Sequence, residues 1–223
     1  MNKMGEIVYA VSRDDLFKKA SSQFTGFVSR SRGFPFQEVL NSIIENHVEM
    51  TRGDCESNPD FKHIIPYVVL KTEREDYFMT RRTENQTEKR LHNKKSIGVG
   101  GHIGPVKDSS LPKDLSFMEL IDYGMRRELL EELKVVANDF SYVVPLFEIV
   151  KPTLVGLVND ESNPVGSVHL GLVYVATLKT EDMHRVGINE TENMTSSWHE
   201  FSELEWMDGF ESWSEILIDS QLR

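Results

Sequence analysis

Residues 127–135 read Arg-Glu-Leu-Leu-Glu-Glu-Leu-Lys-Val, and this run restricts the fold more than any other part of the chain. Helix geometry puts residues three and four apart on one face. With Glu128 as zero and about 100° per residue, Glu131 falls near 300° and Glu132 near 40°, so three carboxylates share an arc roughly 100° wide. Met125, Leu129, Leu133 and Val136 fill the neighbouring arc and form the stripe that packs on a core. Like charges held this close repel unless a cation lies between them. A hard divalent ion with oxygen ligands, Mg²⁺ or Mn²⁺, suits that set. Taken alone, E-x-x-E-E also describes an ordinary solvated helix face.

Composition narrows the function classes. The chain has 223 residues, 39% hydrophobic and 27% charged, as in a soluble globular protein of one domain with an extension. No apolar run reaches the length of a membrane span, and no signal peptide or membrane partner is expected. The single cysteine, Cys55, forms no internal disulfide, which fits a cytoplasmic setting. Net charge is −11, from 25 Lys and Arg against 36 Asp and Glu. That balance argues against bulk nucleic acid, because backbone phosphates need a positive surface. A small phosphorylated substrate remains compatible, since metal ions and a few arginines reverse the sign locally.

Along the chain, residues 1–60 read as a mixed helical extension packed on a main domain over 61–223. Ile7 to Val11 has a strand pattern, a short helix is expected from Asp14 to Ala20, and Pro35 opens a longer helix reaching about Glu49. Thr51 to Asp60 reads as irregular. Strands are expected over 64–72, 77–82, 96–99, 143–150 and 168–178, the first two as a hairpin. The loop between the last two contains Gly156, Asn159 and Pro164. Residues 202–222 have helical apolar spacing. Strands around a central helix suggest a mixed sheet covered on both faces.

The run at 127–135 resembles the Nudix (MutT-like) hydrolase box, G-x5-E-x7-R-E-U-x-E-E-x-G-U, where U is a bulky aliphatic residue. Glu119, seven intervening residues, then Arg127-Glu128-Leu129-Leu130-Glu131-Glu132-Leu133-Lys134-Val135 match it from the first glutamate onward. The box glycines are replaced by Lys113 and Lys134. Gly100-Gly101-His102 resembles the opening of many such boxes, displaced upstream by an insert over 105–115. The resemblance implies an α/β/α sandwich with a mixed sheet and an Mg²⁺- or Mn²⁺-dependent hydrolase that cleaves a phosphoanhydride, expected in a nucleoside diphosphate derivative. It implies catalytic roles for Glu128, Glu131, Glu132 and Arg127. Metal ligation falls to Glu128, Glu132 and Glu131, with a backbone carbonyl at Gly101 and the carboxylate of Glu119 as further ligands. The partner is a small nucleotide-like substrate, and a homodimer is compatible with the family.

Several positions carry two readings. Ser116-Phe117-Met118-Glu119 also reads as a capping box that starts the helix near residue 117, so Glu119 is either a ligand or a cap. Arg81 and Arg82 close a strand, and alternation lets at most one face the substrate. His169 is either a core histidine or a substrate contact, and neither it nor His102 is expected to bind metal, because the carboxylates select hard ions. Glu190 and Glu192 occupy the region where some relatives keep a general base. A non-catalytic nucleotide-binding sensor on the same fold is the alternative function.

Overall fold

The computed structural model describes residues 3–83, 93–106, 112, 114–137, 142–189 and 194–222. Glu190, Glu192 and most of the expected insert, 107–111 and 113, lie outside the described residues. The elements in the first half of the chain are β1 (Ile7–Ser12), α1 (Arg13–Leu16), β2 (Gly26–Ser29), α2 (Phe36–Asn46), β3 (Val48–Thr51), α3 (Arg52–Glu56), β4 (Phe61–Thr72), β5 (Asp76–Arg82), β6 (Lys95–Ser96) and β7 (Gly98–Gly100). Then come α4 (Phe117–Glu132), β8 (Leu133–Val136), β9 (Val143–Val144), β10 (Thr153–Asn159), α5 (Pro164–Ser167), β11 (His169–Leu178), β12 (Val186–Ile188), β13 (Met194–Glu200), α6 (Phe201–Leu204) and α7 (Ser212–Asp219). Among the described residues no helix is long and apolar enough to cross a membrane.

The chain divides into two compact units, each assembled from three separate stretches of sequence. The first takes Met1–Pro66, Gly101–Arg126 and Val155–Val173. In it, β1 lies between β3 and the start of β4, antiparallel to both, with Ala10 opposite Val48 on one side and His63 on the other. Val8, Ala10 and Cys55 form a buried cluster that Met50 and Phe61 cover. Helix α2 buries Phe36, Val39 and Ile43, while Leu40 of the same apolar spacing is half-buried and Ile44 is exposed. It ends at Asn46, because residues 48–51 pair with β1 instead of extending the helix. The expected helix from Asp14 shrinks to the single turn of α1, capped by the Ser12 hydroxyl. Leu16 is its one buried residue, too little to hold a longer helix against a core. Thr51 to Asp60 is more ordered than expected: Thr51 caps α3, its hydroxyl accepting the Asp54 N–H.

A buried cation pins this unit. Lys62 is fully buried on β4, where its ammonium donates to the carbonyls of Gly166, Ser167 and His169 at 3.2, 2.8 and 3.3 Å and meets Glu161 at 3.0 Å. Burial pushes the Lys62 amine down and Glu161 pulls it back up. These contacts fix where β11 begins.

The second unit comprises Tyr67–Gly100, Arg127–Leu154 and Tyr174–Arg223. The expected hairpin forms, its turn held by Thr72: the hydroxyl donates to Asp76 at 2.8 Å and accepts the Arg74 and Asp76 amides. β13 pairs along β5 from Met194 opposite Arg82 to Glu200 opposite Asp76. β7 lies antiparallel on β4, with Tyr67 opposite Gly100 and Val69 opposite Gly98. A smaller sheet takes the order β12-β8-β9. Two expectations change. The strand at 143–150 is limited to Val143–Val144, followed by a 3-10 turn at Leu146–Glu148. The helical tail is two helices, α6 and α7, separated by Gly209 at a φ of 85°.

Candidate functional site

Helix α4 begins where its own sequence says, but it ends at Glu132, before Leu133 and Val136 of the expected helical stripe, because residues 133–136 pair as β8. Ser116 and Glu119 form the reciprocal cap: the Glu119 carboxylate accepts the Ser116 N–H at 2.7 Å and its hydroxyl at 2.6 Å, while Ser116 Oγ receives the Glu119 N–H. Those bonds hold the Glu119 carboxyl below its ordinary range. At the other end the box glycine is absent, and Asn189 takes over its task. Its side-chain amide reaches the carbonyls of Leu130, Glu131 and Leu133 at 3.0, 3.0 and 3.1 Å, and its backbone N–H reaches Glu132 O at 3.0 Å. The carbonyls that a helix end leaves without partners are thereby satisfied. Leu133 passes directly into β8, whose pairing with Val186–Ile188 on β12 holds the exit. Asn189 carries no local signal of this role; only the folded register of β12 delivers it.

The carboxylates occupy the last turn of α4. Met125 and Leu129 are buried on the helix, as the stripe predicts, and Leu133 is buried as the first residue of β8. Glu128 is more covered than Glu131, its side chain 13% exposed against 59%. Arg127 donates to Glu128 at 2.7 Å, with Glu131 farther off at 3.8 Å. The i, i+4 spacing of Arg127 and Glu131 gives an ion pair, and the guanidinium makes its closer contact with its immediate neighbour Glu128. Glu132 lines a pocket in the second unit.

That pocket also takes in Thr80, Arg82, Lys94, Lys95, Ser96, Gly98, Gly100, Tyr67 and Glu211. Of the two arginines, Arg82 is on the pocket wall; Arg81 is exposed and reaches Asn93 at 3.3 Å. Strand alternation is the cause. Lys94 and Lys95 stand there as well, their ammonium groups donating to the carbonyls of Phe210 and Asp208. Gly98 is glycine because of a ring: a Cβ there would lie 2.0 Å from Tyr67. The Tyr67 hydroxyl donates to Glu211 at 2.7 Å and lies 2.9 Å from the hydroxyls of Ser96 and Ser214. Gly100 is exposed on the pocket wall, and Gly101 follows it as the first residue of the next segment of the other unit. Glu211, a second acid on this wall, was not singled out in the sequence, because nothing local distinguishes it from other tail glutamates.

His169 sits in the first unit, at the start of β11. Its Nε2 is 3.1 Å from His102 Nε2, and its Nδ1 is 2.6 Å from the Val165 carbonyl. His63 on β4 completes the group, stacked on His169 with ring centroids 4.7 Å apart and edge-on to His102 at 4.7 Å. His63 is fully buried, and burial, followed by His169 and Arg52, pushes its imidazole down to about 3, so it is neutral. Sequence reasoning missed His63 because it lies inside a strand pattern that any core residue satisfies.

No protein-family model matches the sequence. Protein YmaB of Bacillus subtilis (strain 168) is 36% identical over 222 residues, covering 98% of this chain and 98% of its own. Among solved structures, Tm1382, a candidate Nudix hydrolase, superposes with a TM-score of 0.71 over 97% of this chain and 98% of its own, at 24% identity. The MutT protein from Methanosarcina mazei Go1 aligns over 71% of this chain and 91% of its own at 19% identity, with a TM-score of 0.42, too distant to bear on the assignment. The large mixed sheet with its several helices, superposing on Tm1382 along nearly the whole chain, is the Nudix arrangement. The chain therefore belongs to the family of Bacillus subtilis YmaB and is built on the Nudix hydrolase fold.

Proposed function

We propose that this chain is a divalent-metal-dependent hydrolase of a phosphoanhydride bond, acting in the cytoplasm on a nucleoside diphosphate derivative. The observation that carries the reading is the pocket in which Glu132, from the carboxylate turn of α4, shares a wall with Arg82, Lys94, Lys95 and the Gly98–Gly100 strand. Anionic and cationic groups of that kind on one wall suit a ligand that brings a hard cation and phosphates together. Glu128, Glu131 and Glu132 offer only hard oxygen donors and fit Mg²⁺ or Mn²⁺. Such an ion, when bound, neutralises phosphoryl oxygens and lowers the pKa of a coordinated water. The chain's own contributions follow from chemistry. Glu128 and Glu132, at i and i+4, are the principal ligands in this reading, with Glu131 on their flank. Arg127 orients Glu128 through its 2.7 Å contact. Arg82 and the two lysines would receive the phosphates, and Asn189 keeps the carboxylate turn in place.

Release of phosphate or nucleoside monophosphate from dinucleotides, nucleotide sugars and nucleoside triphosphates, measured with Mg²⁺, tests the proposal. Glu132→Gln should lower turnover at least about 100-fold with an unchanged melting temperature, the scale expected when a positioned catalytic group is removed. Turnover that survives this substitution and is indifferent to chelation would sink it. Saturable nucleotide binding without product would favour the sensor alternative.

A further inference from the structure

We propose that His63, His102 and His169 form a zinc site, with three imidazole ligands and a fourth position open to water. The inference shares no residue with the carboxylate set and does not depend on the hydrolase reading. The three ligand nitrogens all lie within 4.8 Å of one another. Tetrahedral zinc with Zn–N bonds of ~2.0–2.1 Å needs its nitrogens ~3.3–3.4 Å apart. His102 Nε2 and His169 Nε2 are already at 3.1 Å, and the two sides to His63, each within 4.8 Å, close by ring movements to complete the triangle.

The second observation is the state of His63. Its side chain is fully buried, and both ring nitrogens lack a hydrogen-bond partner among the described residues. Buried polar groups are rarely left so. A ring nitrogen with no donor to accept from is a lone pair awaiting a Lewis acid. His169 shows the complementary preparation. The Val165 carbonyl can only accept, so His169 Nδ1 carries the proton and Nε2 keeps its lone pair. Metal-bound histidines commonly donate their other N–H to a backbone carbonyl in this way. The 3.1 Å contact then makes His102 Nε2–H the donor to His169 Nε2. Binding requires that proton to move to His102 Nδ1, leaving both Nε2 lone pairs facing the ion, with no net proton change.

Donor chemistry selects the metal. Three neutral nitrogens and no carboxylate favour a borderline-soft ion such as zinc over Mg²⁺. The scaffold is rigid where it matters: His63 lies within β4, and the adjacent Lys62 holds the His169 carbonyl. His102 and His169 are partly exposed, which leaves a route for the ion and for water.

The test uses the full-length protein without an affinity tag, stripped with a chelator and titrated with Zn²⁺ against a chromophoric competitor. One zinc should bind, with at least about 100-fold weaker binding in His102→Ala and in His169→Ala and unchanged binding in the Glu128→Gln/Glu132→Gln double variant; outer-shell changes alone cost 10–100-fold, so direct ligands set the floor. Co²⁺ in place of zinc should give the visible absorption of a four-coordinate nitrogen site, absent from both histidine variants. Zinc should also shield histidines of the unmodified protein from diethyl pyrocarbonate, a readout that needs no variant to fold. Absence of zinc binding, binding that survives both histidine substitutions, or lack of shielding would overturn the proposal.

Discussion

Replacing Gly98 with alanine tests whether the floor of the pocket is built around the Tyr67 ring. The new methyl would meet Tyr67 Cε1 at 2.0 Å, Cζ at 2.1 Å and Cδ1 at 2.6 Å. Carbon atoms settle at about 3.5–4.0 Å, so the ring must retreat by roughly 1.5 Å. Tyr67 is only 5% exposed, packs edge-on against Trp213, and has its hydroxyl held by Glu211, Ser96 and Ser214. A shift of that size breaks the set. The bond to the Glu211 carboxylate is worth about 1.5–3 kcal/mol and each serine contact about 0.5–1.5 kcal/mol, so the loss spans roughly 2.5–6 kcal/mol. Relaxation recovers part of it, and overpacking typically costs about 1–3 kcal/mol, so about 3 kcal/mol is the expected destabilisation. Urea unfolding followed by tryptophan fluorescence measures it. Tyr67→Ala provides the control: it is destabilising by itself, about 3–5 kcal/mol by analogy with buried aromatic truncations, but it removes the obstacle. Gly98→Ala should then cost nothing further in the Tyr67→Ala background, a coupling of about 3 kcal/mol. A single-variant loss below about 1 kcal/mol, or full additivity, would refute the packing argument.

Asn189→Ala removes the amide that closes α4, and should cost about 1–2 kcal/mol in urea unfolding, the usual scale of a lost cap. If the proposed hydrolase reading holds, turnover should fall as well, while Asn189→Asp, which keeps the shape but loses both N–H donors, should not rescue either property. Cys55 gives a pH signature. Burial, reinforced by Glu56, pushes its thiol up to about 12, so the folded protein keeps the proton that the unfolded chain releases above about pH 8.5. The unfolded state therefore binds fewer protons in that window, and stability falls as pH rises. At pH 10 the cysteine's share is about 2 kcal/mol, at 1.36 kcal/mol per unit. Relative to Cys55→Ala, the wild-type advantage in urea midpoints should shrink between pH 8 and pH 10; a constant difference would contradict a protonated buried thiol.

Much of the architecture was legible because it is local. The Ser116–Glu119 box set the start of α4 at Phe117, the apolar spacing named the buried face, and β-branched and aromatic residues marked most of β4 and β5 and all of β11. The failures share a cause. β3, β8, β10, β12 and β13 are strands because partners far along the chain pair with them, and their own residues carry weak signals; β10 was even assigned to a loop through Gly156 and Asn159. Short strands gain their order from the ladder, so tertiary pairing overrides propensity.

The carboxylate turn shows the same division. Spacing alone put Glu128, Glu131 and Glu132 on one helical arc, since a helix converts sequence separation directly into angle. It could not tell that Arg127 would turn to Glu128, that Arg82 and not Arg81 would line the pocket with Glu132, or that Asn189 would stand in for the missing glycine. Nor could it bring His63, His102 and His169 together, residues from two strands and a connecting segment whose rings meet only after folding. Neighbours along one helix are set by covalent geometry and local hydrogen bonds. Neighbours across strands are set by burial and pairing, and those belong to the folded chain as a whole.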